Sequence, residues 1–336
     1  MPDSIDAPPL VFGVYPGGMS GSDDGVAVGP PDDRGRIEDA LTQLQDGLTP
    51  FVVRAYETYS DAAAPSKHPP RAPEGYGEYA REGRRLDLVL MFQSASGDVP
   101  AFLQFVREMI RRQGPLLYSV QVTEEANFVS GPSSIDGPYP RVREALVEGV
   151  QVAREELDRA GYGRSVGVGF STTPTFGPSS EFWASVGGRG GRAFLDALDY
   201  VALDFFPDVF RPTAPDGEPG DVRDSVLHVL RALREEWLPA AGIPASVSIH
   251  IGENGWPTGP MRTYERQARV LETVIRTIHE RRRTYNIARY TLFDLRDASS
   301  AETDIWHQFG VMRDDYTPKP AFETYRRLVD ELGVRS

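Results

Sequence analysis

The sequence contains no cysteine and only two lysines among its 336 residues. Without cysteine, the chain forms no disulfide, binds no metal through thiolates and uses no cysteine nucleophile. Lys67 lies in a proline-rich segment and Lys319 precedes the last predicted helix, so neither is the strand lysine that a Schiff-base aldolase barrel needs. The first predicted strand ends in GVYPGG, without the histidine pair of metal-dependent hydrolases. We therefore expect no metal and no cofactor.

Positive charge is also scarce, because the formal net charge is -13 and the isoelectric point is about 5.0. An acidic protein is poorly suited to a phosphate backbone, so we expect no nucleic-acid partner. The sequence has no apolar run of membrane-spanning length and no signal-peptide pattern at its start. These absences predict a cytoplasmic protein that does not bind membranes. No pattern indicates its oligomeric state.

Short apolar runs recur along the whole chain and predict eight strands. Continuous apolar runs of this length are typical of strands that are buried on both faces, as in parallel sheets. They lie at 10–15, 51–56, 86–92, 116–123, 165–171, 200–206, 246–251 and 289–295.

Amphipathic helical patterns lie between these strands. In 98–114, for example, Phe102, Val106 and Met109 fall on one helical face. Alternating strands and helices predict an α/β fold, and eight units predict a single (β/α)8 TIM barrel. No linker divides the chain, so we expect one domain over 1–336. An open doubly wound sheet is the alternative fold.

The predicted connections orient the barrel. Helix-to-strand connections such as DGLTP are short, whereas strand-to-helix loops are long, for example over 124–140 and 297–317. Long loops inside a compact domain are usually functional, and strand-to-helix loops form the face of a barrel that carries the active site. We therefore expect the site at the carboxyl ends of the strands.

Two strand ends carry glutamates on that face. The fourth strand ends in TEEAN, with Glu124 and Glu125, and the seventh leads into ENGWPTG, with Glu253. A carboxylate at the end of a buried strand is costly unless something uses it. A pair of carboxyl groups is what glycoside hydrolysis requires, one as acid/base and the other as nucleophile or base. Adjacent glutamates also oppose each other's ionisation, which helps keep one of them protonated.

These motifs resemble those of clan A of the glycoside hydrolases, and the resemblance covers nearly the whole chain. In that clan, glutamates end strands four and seven of a (β/α)8 barrel. The resemblance implies that Glu125 is the acid/base and Glu253 the nucleophile of a retaining enzyme. It also implies that Arg54, in FVVRAY, holds Glu253 and that Trp256 lines the sugar site.

The sequence departs from the clan pattern at four positions. Glu124 stands where asparagine is usual, Ala126 replaces a proline, Phe206 lies where strand six often brings a tyrosine, and Phe293 replaces a tryptophan. We therefore expect Glu253 to lack a phenol partner from strand six. Supporting contacts to the substrate are expected from side chains at or near strand ends. This set comprises Tyr15, Glu124, Asn127, Asp204, Phe206 and Phe293.

Two functions follow from these patterns. The first is a retaining hydrolase that cleaves an O-glycosidic bond of a carbohydrate substrate by double displacement. The four departures motivate the alternative, a non-catalytic barrel that binds a saccharide or a protein. A barrel enzyme that uses the acids on another substrate also remains open. The sugar, the linkage and the choice between exo and endo cleavage are not encoded in any motif that we recognise.

Overall fold

The computed structural model describes residues 10–22, 25–67, 69–175, 180–210 and 221–334. Within them, eight parallel strands close into a barrel, each pairing with the next and the last with the first. The strands are β1 (Val11–Val14), β2 (Phe51–Ser60), β3 (Arg84–Gln93), β4 (Leu117–Val122), β5 (Gly167–Thr172), β6 (Tyr200–Asp204), β7 (Ser248–Asn254) and β8 (Ile287–Leu292). Closure through Val11 and Arg289 confirms the barrel over the open sheet.

Helices surround the barrel on its outer side. The α-helices longer than one turn are α1 (Arg34–Gln45), α2 (Val99–Gln113), α3 (Val142–Arg159), α4 (Ser180–Ala197), α5 (Val222–Ala232), α6 (Tyr264–Tyr285) and α7 (Pro320–Leu332). Side chains cap several of them, since Asp98 accepts a hydrogen bond from Ala101 N and Thr263 accepts one from Arg266 N. Their apolar faces pack against the strands, which leaves the two ends of the barrel to the loops.

One of the eight expected helices is replaced by a turn. Between β2 and β3, the described residues form only a single 3-10 turn, Tyr76–Tyr79. Prolines at 65, 69, 70 and 73 and glycines at 75 and 77 account for this, because proline lacks the backbone N–H that a helix interior needs. The first part of this segment stays at the carboxyl end of the barrel, where Pro70 lines the central cavity.

The loops at the carboxyl end are anchored by polar contacts. After β1, Ser20–Ser22 pairs with Gly25–Ala27 in a small antiparallel sheet. In the last loop, buried Lys319 donates from Nζ to Asp297 Oδ1 at 2.7 Å. Among the described residues, no helix is apolar over the length that a bilayer crossing would need.

Candidate active site

A cavity of about 970 Å³ opens at the carboxyl ends of the strands. This is the end where barrel enzymes carry their sites, and the volume lies at the upper end of the range for ligand pockets. Glu124, Glu125 and Glu253 all line it. The structure therefore brings the three predicted glutamates into one cavity, although they are far apart in sequence.

Glu253 is held by two side chains of β2. The Tyr56 hydroxyl donates a hydrogen bond to Glu253 Oε1, and Arg54 Nε lies 3.5 Å from the same oxygen. Arg54 Nε also donates to the Tyr56 hydroxyl at 2.8 Å. We had expected Glu253 to lack a phenol partner from β6, and the structure supplies a phenol from β2 instead. Alternation along a strand points residues 54 and 56 to the same side, and this signal was available in FVVRAY.

Arg54 has more partners than the predicted contact with Glu253. It is fully buried and donates to Asp87 at 2.7 Å, Gln121 at 3.0 Å and Glu124 at 3.1 Å. These contacts are shorter than its 3.5 Å approach to Glu253. Arg54 is therefore the centre of a buried polar network that connects β2, β3, β4 and β7.

Asp87, which the sequence analysis did not single out, completes this network. It lies between two guanidinium groups, since Arg289 Nη2 donates to Asp87 Oδ2 at 2.9 Å and Arg54 Nη1 donates to the same oxygen. Burial alone would raise the pKa of the Asp87 carboxyl, but Arg289 and Arg54 outweigh burial and hold the pKa below its usual range. Asp87 is therefore a permanent anion beneath the site.

The turn after β4 presents both of its glutamates to the cavity. Thr123 and Glu125 have positive φ of 65° and 45°, a conformation uncommon for residues with a side chain. Asp136 holds the turn, because its Oδ2 accepts from Glu124 N and from Phe92 N, both at 2.8 Å. The carboxylate of Asp136 thus stabilises the backbone that positions the two glutamates.

Glu125 combines a cavity position with a raised proton affinity. Its backbone N–H donates to Ser171 Oγ on β5 at 3.0 Å. Burial raises the pKa of Glu125 well above its usual value, and the charges of Asp204 and Glu253 raise it further. A glutamate of this kind can hold a proton near neutral pH, as a general acid requires.

Asp204 lies behind the glutamates and is not among the residues that line the cavity. It ends β6, is fully buried and packs against Gly252, where a Cβ would lie 2.3 Å from Asp204 Oδ1. Burial raises the pKa of Asp204 to about 7, with a further contribution from Glu253. The structure therefore makes Asp204 an electrostatic neighbour of the site and not the direct substrate contact that we expected.

Aromatic rings form one wall of the cavity. Phe293 stacks on Tyr15 with centroids 5.4 Å apart and meets Phe206 edge-on at 6.0 Å. Trp306 also lines the cavity and stacks on Phe210 at 5.1 Å. Such apolar faces suit the C–H faces of a sugar ring, so three of the predicted supporting residues lie where they can contact a substrate.

Trp256 lies away from the cavity, whereas Asn127 lines it as expected but with its amide already hydrogen-bonded. Trp256 is 2% exposed and is not among the cavity-lining residues; the guanidinium of Arg262 lies 4.7 Å from its ring centroid. This cation–π contact turns the indole away from the site. Asn127 lines the cavity, but its amide is occupied: Nδ2 donates to Thr173 O at 2.7 Å, and Oδ1 accepts from Thr173 N at 3.0 Å. Asn127 therefore joins the loops after β4 and β5.

No group of three or more histidine, cysteine, aspartate or glutamate side chains within the described residues is arranged to hold a metal ion. The functional groups in and beneath the cavity are its carboxyl groups, the Tyr56 phenol and the buried guanidinium of Arg54. Two carboxyl groups in one cleft, one held by donors and the other with raised proton affinity, permit acid/base and nucleophilic catalysis.

Solved structures similar to this chain are barrel glycoside hydrolases. A family 39 glycoside hydrolase from Bacteroides cellulosilyticus WH2 has a TM-score of 0.61 and 16% identity over 96% of this chain and 63% of its own. A β-glucosidase from Exiguobacterium marinum has a TM-score of 0.59 and 12% identity over both full chains. A family 1 β-glucosidase from Thermotoga maritima has a TM-score of 0.58 and 12% identity over 90% and 87%.

The present chain therefore spans slightly less than two thirds of the family 39 enzyme. Neither the comparison with protein-family models nor that with curated proteins gave a match. Since all three identities are low, the similarity concerns the fold, and the chemistry of the site has to be argued from the residues themselves.

Proposed function

We propose that the protein is a retaining glycoside hydrolase in which Glu253 is the nucleophile and Glu125 the acid/base. The observation that carries this proposal is the environment of the two glutamates in one cavity. Glu253 Oε1 is engaged by Tyr56 and Arg54, which leaves Oε2 to attack. Glu125 has the raised pKa of a proton donor. The glycoside hydrolases of similar fold support hydrolysis of a glycoside, while the roles of the two glutamates rest on their environment.

The reaction has two displacements. In the first, Glu253 Oε2 attacks the anomeric carbon while Glu125 donates its proton to the departing glycosidic oxygen. This step breaks the C–O bond and leaves a glycosyl ester on Glu253. In the second, the Glu125 carboxylate takes a proton from water, the water oxygen attacks the anomeric carbon and Glu253 departs. Both steps need a separation of about 5–5.5 Å between the two carboxyl groups.

Azide rescue tests the two roles separately. A panel of 4-nitrophenyl glycosides first identifies a hydrolysed sugar. Glu253→Ala should lose activity, and azide should restore release of nitrophenol by giving a glycosyl azide of inverted configuration. Glu125→Ala should retain a slow first step with this good leaving group, and azide should give the product of retained configuration. The loss with substrates that need acid assistance should be about 10²–10⁴-fold.

Glu57→Gln is the matched control, because Glu57 directly follows Tyr56 but accepts from the Tyr76 hydroxyl at 2.7 Å outside the cavity lining. It should leave hydrolysis near the wild-type rate. If Glu253→Ala hydrolyses the substrate as fast as wild type, the nucleophile assignment is wrong. Tight saccharide binding without turnover, unchanged by Glu125→Gln, would instead support the non-catalytic barrel.

A further inference from the structure

The buried charges beneath the cavity are unequal in number. Among the described residues, two guanidinium groups and five carboxyl groups form the buried cluster around Arg54. The seven residues are Arg54, Arg289, Asp87, Glu124, Glu125, Asp204 and Glu253. Asp87 bonds both arginines, and a nucleophilic Glu253 also has to be an anion. These two negative charges already balance the two guanidinium groups, so each further ionised carboxyl group would be an uncompensated buried charge.

Glu124 is the remaining carboxyl group that lies against Arg54 itself. Its Oε2 accepts hydrogen bonds from Gln121 Nε2 and from Arg54 Nη2, the latter at 3.1 Å. Its Oε1 has only a long approach of 3.4 Å to the same Arg54 nitrogen. Oε2 therefore receives the shorter donor contacts, and Oε1, with the single long one, is the oxygen that can carry a proton.

We propose that Glu124 is a carboxylic acid in the resting protein and that it donates a hydrogen bond from Oε1 to a hydroxyl group of the bound sugar. Because it lines the cavity, its proton can face a ligand. The proposal rests on the glycoside hydrolase function for the identity of the acceptor. The protonated state itself is a property of the unliganded protein and can be tested without any substrate.

The surroundings of Glu124 favour the neutral form. Burial raises the pKa of Glu124 well above its usual value, and the nearby charges of Asp204, Glu253 and Glu125 add to this, whereas Arg54 opposes it. Arg54 lies on β2, Asp204 on β6, Glu253 on β7 and Glu125 in the turn after β4. Asp87 on β3 is hydrogen-bonded to both arginines. Asp87 and Glu253 already compensate the two guanidinium groups, so an ionised Glu124 would add a buried charge without a counter-charge.

A protonated Glu124 changes what the site can recognise. An ionised carboxylate only accepts hydrogen bonds, whereas a carboxylic acid also donates one. A sugar hydroxyl that accepts from Glu124 keeps its own proton free to donate to another acceptor. Glu124 thus supplies the donor that an asparagine amide would supply at the same position, and a substrate lacking that hydroxyl would leave a buried polar group unpaired.

Infrared difference spectroscopy on the unliganded protein tests the protonated state. The C=O stretch of a protonated carboxyl group lies above the amide bands, so subtracting the spectrum of Glu124→Gln from that of wild type isolates Glu124. We expect a positive carboxylic-acid band at neutral pH that disappears as the pH is raised. If only a carboxylate band is lost in Glu124→Gln, the proposal is wrong.

Asp204→Asn provides a second test that does not require Glu124→Gln to fold. Removing the Asp204 charge should lower the pH at which the Glu124 band of the otherwise unaltered protein disappears. Asp204 contributes a carboxylic-acid band of its own, which is absent from Asp204→Asn. The comparison therefore uses only the bands that are present in both proteins and the pH at which each of them disappears. A transition that does not move to lower pH would also overturn the proposal.

Kinetics with the substrate identified by the glycoside panel test the donated hydrogen bond. Glu124→Gln, which can still donate, should keep a larger share of kcat/KM than Glu124→Leu, which cannot. For a substrate that lacks the hydroxyl group in question, kcat/KM should fall less in Glu124→Leu than it does for the parent substrate. Equal losses in the two variants would contradict the donor role. A protein that shows the infrared band but hydrolyses no glycoside would contradict the proposed function and leave the protonated state standing.

Discussion

Tyr56 donates a hydrogen bond to Glu253 across the barrel, from the second strand to the seventh. Tyr56→Phe should therefore lower kcat, because Glu253 loses a donor that orients its carboxylate. A hydrogen bond to a charged group is worth about 1.5–3 kcal/mol, which corresponds to roughly a 10- to 100-fold change. Steady-state kinetics on the identified glycoside measure this loss.

Tyr59→Phe is the control for that experiment, since it removes a hydroxyl from the same strand. Tyr59 packs on Phe92 and, outside the barrel, on Phe102 of α2. Its kcat should stay close to wild type. If Tyr56→Phe behaves like Tyr59→Phe, the phenol does not assist Glu253.

Asp204→Asn should shift the alkaline limb of the pH profile of kcat/KM to lower pH. The charge of Asp204 is, after burial, the next contribution that raises the pKa of Glu125. Without that charge, Glu125 loses its proton at a lower pH, and the proposed general acid is lost there. A profile measured from pH 4 to pH 10 checks the direction. An alkaline limb that moves upward or stays in place would contradict the electrostatic role of Asp204.

Arg54→Met should destabilise the fold strongly. The substitution leaves Asp87 and Glu124 without their shared guanidinium partner, and removing one side of a buried pair typically costs about 3–5 kcal/mol. Urea unfolding measures the free energy. Arg326→Met, which removes an exposed pair with Glu323, should cost less than about 1 kcal/mol. Similar losses in the two variants would show that the buried network contributes little to stability.

Asp136→Asn should change how stability depends on pH. Burial raises the pKa of Asp136 to about 7, whereas an unfolded aspartate titrates near about 4. Between these values the native state binds the extra proton, so wild-type stability falls as the pH rises through this window, by about 1.4 kcal/mol per pH unit.

Asparagine does not titrate, so the stability of Asp136→Asn relative to wild type should improve from pH 4 to pH 7 and then level off. Thermal melts across this range, with Asp33→Asn at the exposed start of α1 as a control, measure the difference. A constant difference between pH 4 and pH 7 would mean that Asp136 does not hold a proton in the native state.

Neutral glycosides should be hydrolysed in preference to uronides. Among the described residues that line the cavity, Arg143 is the one basic side chain, and it is paired with Glu181 at 3.0 Å. Four glutamates line the same space, and Glu253 among them has to be an anion as the nucleophile, so a sugar carboxylate meets like charge without a free cation. Paired assays of 4-nitrophenyl glucoside and glucuronide should show at least about a tenfold preference for the neutral sugar. Faster hydrolysis of the glucuronide would contradict this reading of the cavity.

Much of the fold was predictable from the sequence because parallel strands that are buried on both faces leave continuous apolar runs. The same logic brought Glu125 and Glu253 together, since carboxyl ends of barrel strands converge. The missing helix after β2 was also readable, because its prolines and glycines are incompatible with a helix interior. The prediction of eight strand–helix units, which relied on the apolar pattern alone, had included a helix in this segment.

Other features depended on contacts that no local pattern records. Trp256 follows Glu253 closely in sequence, yet Arg262 and Arg266 hold its ring away from the cavity. In the sequence, Asp87 is a single charged residue within an apolar strand. Its burial is explained by the hydrogen bond from Arg289 of β8, which the sequence of β3 does not reveal. Such tertiary partners decide where a side chain points, whereas local sequence decides only which strand carries it.

The scarcity of lysine gives the protein a practical property. Lys319 is buried against Asp297, whereas Lys67 is exposed. Lys67 adjoins Ser66, whose hydroxyl donates to Gln93 Oε1 at 2.5 Å at the carboxyl end of β3. Apart from the terminal amine, an amine-reactive fluorophore would thus couple at a single exposed side chain, at the end of the barrel where the cavity opens. Its emission would report ligand entry without an engineered cysteine.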